Sequence, residues 1–163
     1  MTNIKKIFII VGLILVSILW LGLYYTYYGW QLFGYDLVDH QKNDIHIIKG
    51  NERKVPSTIV DYEWHAGYLI GLRLNVEFLE CESHDRFRHA IQITDERRYF
   101  ILNVYNEEFR DFSSSENFMD VLASLNLIEK TNLNVSSFDG VESYYSNMST
   151  EGDYSNCKIL TRP

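Results

Sequence analysis

Two cysteines, five histidines and a dense run of acids are the residues of this chain whose types could do chemistry. In an oxidising compartment Cys81 and Cys157 could form a disulfide. It would close a loop of about 76 residues, worth roughly 4 kcal/mol on a chain-entropy account. Two unconnected thiols are the alternative, because spacing in sequence does not establish approach in space. Glu80-Cys81-Glu82-Ser83-His84-Asp85 gathers carboxylate, thiolate and imidazole, the side chains that hold zinc. Its spacing fits no finger or zincin pattern, so a polar turn is the plainer reading and no metal is expected. His46, His65 and His89 are isolated along the chain, and His40 has no obvious partner. The chain holds no GxSxG, HExxH, P-loop, CxxC or Gly-rich dinucleotide turn. The expectation is a protein that is not an enzyme and carries no cofactor.

The acidic residues form a second candidate. Glu107, Glu108 and Asp111 precede a helical pattern, and Glu116 and Asp120 fall in its first turns. Acids at a helix N-terminus complement the macrodipole, which explains them without a ligand. They could also form a negative patch that draws in a basic protein partner. Tyr144, Tyr145 and Tyr154 lie in a Ser/Asn/Gly-rich tail whose composition suits an interface. Asn134-Val135-Ser136 and Asn147-Met148-Ser149 match the glycosylation sequon.

Such residues need elements to position them, and the first element is apolar. Residues 7–23 (IFIIVGLILVSILWLGL) carry no charge. A helix crossing a bilayer needs about 20 mostly apolar residues, and the uncharged stretch runs on to Tyr35. Trp20, Tyr24, Tyr25, Tyr27, Tyr28 and Trp30 crowd its far end, as an interfacial belt would. Lys5 and Lys6 precede the run, whereas Asp36 and Asp39 follow it. The positive-inside rule then puts the N-terminus in the cytoplasm and the rest outside the inner (plasma) membrane. A cleaved signal would need small residues after the run, and YYTYYGW offers none of that pattern. The expected division is an anchor over 1–30, a neck over 31–44, and one extracytoplasmic domain over 45–163.

Within that domain, residues 68–78 alternate with period two, which predicts a long strand with one buried face. Residues 58–64 predict a second strand, with His65, Ala66 and Gly67 turning a hairpin between the two. Strands are also predicted over 45–49, 87–94 and 98–105, with Asp95 and Glu96 as a tight connection between the last two. Ser113-x-x-Glu116 fits a capping box, and Phe118, Leu122 and Leu125 form an apolar stripe, so a helix is predicted over 115–126. Residues 131–138 could add a last strand. The fold class is α+β: an N-terminal transmembrane helix, then a small antiparallel sheet domain with one packed amphipathic helix.

Composition narrows the function. With 15 basic and 22 acidic residues among 163, the net charge is −7, which opposes nucleic-acid binding. Hydrophobic residues at 46% exclude whole-chain disorder. Two stretches carry a resemblance. Val55-Pro56-Ser57-Thr58-Ile59-Val60-Asp61-Tyr62 leads to Gly67-Tyr68-Leu69-Ile70-Gly71, and Arg98-Tyr99-Phe100-Ile101-Leu102-Asn103 is followed by Glu116-Asn117-Phe118 through Leu125-Asn126-Leu127. Together they resemble a loose group of small uncharacterised bacterial proteins, membrane-anchored or lipoproteins, some of which look like immunity proteins of polymorphic toxin systems. Asn126 stands where that group has Gly. The resemblance implies a membrane-held binding domain whose partner is a protein, such as a toxin. The alternative is an accessory envelope protein acting through its membrane helix, where Gly12, Ser17 and Gly22 would permit close helix approach.

Overall fold

A computed structural model of the chain describes residues 2–39, 44–83, 86–141 and 157–160, with 2–6, 82–83, 86–91 and 95 in backbone only. The molecule is α+β. Helix α1 (Thr2–Tyr28) is followed by a 3-10 turn (Gly29–Phe33). Strands β1 (Tyr35–Asp39), β2 (Ile45–Lys49) and β3 (Glu52–Val55) make a small antiparallel sheet in that order. A larger antiparallel sheet has the order β4 (Ile59–His65), β5 (Tyr68–Ser83), β6 (Arg86–Asn103), β7 (Glu108–Phe112). Strand β8 (Cys157–Ile159) pairs with the far end of β5. Helix α2 (Ser115–Ser124) follows β7.

The large sheet is covered on both faces, which makes three layers. Ile70 and Ile101 pack against Phe118, Leu122 and Leu127 of α2 and its exit. Leu72 and Leu74 on the same face bury Phe138, which lies in a helical turn at 137–141. The other face presents Leu69, Phe100 and Leu102 to Tyr35, Ile47 and Val55 of the small sheet. The single buried face expected for 68–78 is therefore corrected. Leu69 through Leu74 are buried without a break, because the small sheet covers what the helix leaves open.

Local chemistry explains most of the elements. The β4–β5 turn has positive φ at Ala66 (47°) and Gly67 (94°), the geometry that twists a two-residue hairpin correctly. Gly71 is glycine because a Cβ there would lie 2.5 Å from the Asp61 carbonyl oxygen and 2.6 Å from the Phe100 ring. A bulge in β4 between Ile59 and Asp61 brings that carbonyl close. The N-cap of α2 is Ser114, one residue after the predicted Ser113; its hydroxyl accepts from the Asn117 amide. The helix exits through Asn126 at φ 56°, and the Leu127 amide donates to the Leu122 carbonyl at 2.9 Å. That left-handed position suits Gly first and Asn next.

Four other expectations are corrected. Residues 87–94 and 98–105 are not two strands but parts of one, β6. Leu74 faces Arg97 and Val76 faces Ile93, so residues 94–96 bulge opposite Asn75 instead of turning. The Thr94 hydroxyl donates to the Asn75 carbonyl at 3.1 Å and pins the bulge. Residues 35–39 of the expected neck are β1, paired along their length with β2. Residues 131–138 form no strand; they run irregularly into the helical turn.

Candidate functional site

The residues most able to act lie in three places: the junction of α1 with the domain, a buried polar cluster between the sheets, and the acidic residues around β7. The junction is the most unusual. The apolar side chains from Ile7 to Leu23 are exposed on every side of α1, and this helix is long and apolar enough to cross a membrane. Trp20, Tyr24, Tyr25, Tyr27 and Tyr28 are all exposed on its C-terminal half. Trp30, expected in the same belt, is instead core: it is 2% exposed and stands edge-on to Tyr62 at 5.9 Å. The cause is Gly29. The α-helix ends at Tyr28, and Gly29 packs so closely on Trp64 that a Cβ would fall 2.7 Å from the indole nitrogen. The chain can therefore turn Trp30 inward. Trp64 Nε1 donates to the Tyr25 carbonyl at 3.2 Å, and the Tyr25 and Tyr105 hydroxyls lie 3.5 Å apart. The helix is thus joined to the core directly, without a spacer.

The second place gathers Asp44, His46, Arg53 and Ser57. Asp44, His46 and Ser57 are each under 8% exposed. The Ser57 hydroxyl donates to Asp44 Oδ1, and His46 Nδ1 lies 3.0 Å from the same oxygen. Arg53 donates to Ser57 Oγ at 3.0 Å and lies 3.1 Å from Asp44 Oδ1. Burial pushes the Asp44 carboxyl upward in pKa; the Ser57 hydroxyl and the Arg53 and His46 charges outweigh it, and the net shift is downward. A serine, a histidine and an aspartate are together, but in the wrong order for nucleophilic catalysis. Ser57 is bonded to the carboxylate rather than to the imidazole that would take its proton. Arg73 continues the network, donating to the Ser57 carbonyl at 3.3 Å and, through Nε and Nη2, to both oxygens of Asp111 at 2.9 and 2.8 Å. Arg98 donates to Asp111 Oδ2 from the other side. Sequence reading missed this cluster because its members come from five strands and the loops between them.

The same contacts redistribute the acidic residues. Asp111 is held between two guanidinium groups. Glu107 accepts from Lys49 and Lys54, each at 2.7 Å, and these two bonds pull its pKa down to about 2. Glu108 pairs with Arg110 at 2.7 Å. Glu116 and Asp120 stay solvent-exposed on α2, without an ion-pair partner among the described residues. The five acids are therefore not one free negative surface. Cys81 and Cys157 face each other across the β5–β8 pair and are joined by a disulfide. His84, Asp85 and the three tail tyrosines fall outside the described residues, as do His40 and Asn147. Among the described residues no group of three potential metal ligands converges. A recess of about 40 Å³, lined by Tyr68, Ile101, Asn103, Glu108, Arg110 and Leu125, has room for a few waters. Comparison with family models, curated proteins and solved structures found no match.

Proposed function

We propose that this chain is a single-pass membrane-anchored binding protein. Its N-terminus lies in the cytoplasm and its acidic domain lies outside the inner membrane, where it captures a protein partner. The observation that carries the reading is the junction. An apolar helix whose side chains from Ile7 to Tyr28 are exposed enters the domain core at Gly29 and Trp30, so the domain is presented in a set orientation. The charge asymmetry of Lys5 and Lys6 against Asp36 and Asp39 supports the topology. The Cys81–Cys157 disulfide supports an oxidising compartment. For the partner, the outer face of α2 offers Glu116, Asp120 and the exposed Met119, a small acidic and apolar surface. A basic toxin neutralised by this protein is the most concrete partner, in keeping with the resemblance to immunity proteins.

The test has two arms. Tagged full-length protein is captured from detergent-solubilised membranes, and cells producing it are challenged with a co-produced toxin encoded beside it. One soluble partner at equal stoichiometry, and protection lost in an E116K/D120K variant, would support the proposal. Capture of integral membrane proteins alone, with no protection against the toxin, would sink it in favour of an accessory role for the helix.

A further inference from the structure

We infer that the base of the domain is itself a lipid-contact surface. The loop 104–107 and the turn 66–67 lie in the headgroup layer of the membrane that α1 crosses, and Tyr105 is the inserted side chain. The inference rests on α1 being the membrane span. A hydrocarbon layer of about 30 Å takes roughly 20 helical residues, so a span that starts at Ile7 ends near Tyr27. Tyr25 is at that level, and it holds the domain twice. Its carbonyl accepts from Trp64 Nε1 at 3.2 Å, and its hydroxyl is 3.5 Å from that of Tyr105. Both partners therefore sit at the edge of the bilayer.

Tyr105 is 59% exposed, yet its ring is fixed. It stands edge-on to Phe33 with centroids 5.1 Å apart. It also lies over Gly67, where a Cβ would come within 2.0 Å of the ring, so only glycine fits beneath it. Tyr27 and Tyr28 at the end of α1, and Leu32 in the turn after it, are exposed as well. A rigidly held aromatic with a polar tip, next to the end of an apolar span, matches the chemistry of the bilayer interface. Glu107, the one charged residue of this loop and turn, accepts from both Lys49 and Lys54. The surface therefore suits a zwitterionic phospholipid and needs no anionic one. With the base seated, β5 leads Cys81 roughly 40 Å along the strand from the base at Tyr68.

The test uses isotopically labelled full-length protein in phosphatidylcholine nanodiscs, with a gadolinium chelate on some headgroups. The expected result is that the Ala66, Gly67, Tyr105 and Asn106 amides lose at least half their intensity while those of Cys157–Ile159 stay sharp. Tyr105→Ser should restore much of the loss at Ala66 and Gly67. Separate discs carrying a mid-chain nitroxide read the Trp20 indole, which reports the span alone. Trp20 broadened while the loop amides remain as sharp as those of β8 would overturn the lipid contact and leave the anchor standing. Trp20 sharp in the mid-chain discs would refute the anchor itself, and the lipid contact with it.

Discussion

Replacing Asp111 by Ala should be among the most damaging single changes in the domain. The side chain of Arg73 is 5% exposed and that of Asp111 18%. The carboxylate takes two bonds from Arg73 and is shared with Arg98. Without it, Arg73 keeps, among the described residues, the Ser57 carbonyl at 3.3 Å and the Asn75 side chain at 3.5 Å. A buried charge left so poorly matched costs about 3–5 kcal/mol. At a urea m-value of about 2 kcal/mol/M, the unfolding midpoint falls by about 1.5–2.5 M. The assay is urea denaturation of the full-length protein in mild detergent, read by the fluorescence of the buried Trp30 and Trp64. Glu108→Ala is the internal comparison. Its ion pair with Arg110 is about half exposed at both ends, so the loss should stay below about 0.5 kcal/mol. A double R73M/D111L variant should recover much of the D111A loss, because apolar replacement removes the stranded charge. If D111A and E108A unfold within 1 kcal/mol of each other, the buried-pair reasoning is wrong.

Three further outcomes follow from the same contacts. Gly71→Ala should destabilise the domain by about 2 kcal/mol or more, since the new Cβ meets a backbone oxygen that cannot swing away; a neutral melting result would contradict the close approach. A soluble form starting at residue 31 should be less stable than one starting at residue 24 by about 3–5 kcal/mol, because the shorter form lacks Trp30; equal urea midpoints would return Trp30 to the membrane belt. Glu107 and Asp44 are both depressed in the folded state, so each contributes stability above its unfolded pKa. That contribution is lost as pH falls from about 4.5 to about 2 for Glu107, and from about 3.8 downward for Asp44. Glu107→Gln should therefore flatten the loss of stability between pH 5 and 2, and an unchanged pH profile would count against the Lys49–Glu107–Lys54 contact.

Much of the fold was legible because its signals are local. Strand β5 appears as period-two alternation after the Ala66-Gly67 turn, β2 and β4 as short apolar runs, and α2 as a stripe after a serine cap. Asn126 carries a conformational signal of its own, a positive φ at the helix exit. The errors share a cause. Asp95-Glu96 looks the same at a turn and in a bulge, and only the register with Asn75 distinguishes them. Strands β1 and β3 are short, polar and at the edges of their sheet, so they show no period two. The acidic patch looked free because its neutralising partners, Lys49, Lys54, Arg73 and Arg98, come from four other strands. Charge read along the chain gives a composition, whereas charge in the fold depends on pairings that span up to 58 residues.

Trp30 shows where that limit matters for function. Six aromatics at the far end of an apolar run satisfy the interfacial-belt pattern, and nothing in their types separates the sixth from the rest. What separates it is a helix end at Tyr28 and a glycine with no room for a Cβ against Trp64. The apolar helix and the domain therefore share a residue that a boundary drawn by hydropathy assigns to the helix. If the domain were free on a neck, any soluble version of it should bind its partner as well as the full chain does. Because Tyr25 and Trp30 belong to the domain's packing, the orientation of α2 and of the β5–β6 hairpin is coupled to the helix. A flexible Gly/Ser insertion between Tyr28 and Gly29 should then weaken partner capture in membranes even where it leaves the amount of inserted protein unchanged. Capture undiminished by that insertion would mean that the rigid junction serves stability alone.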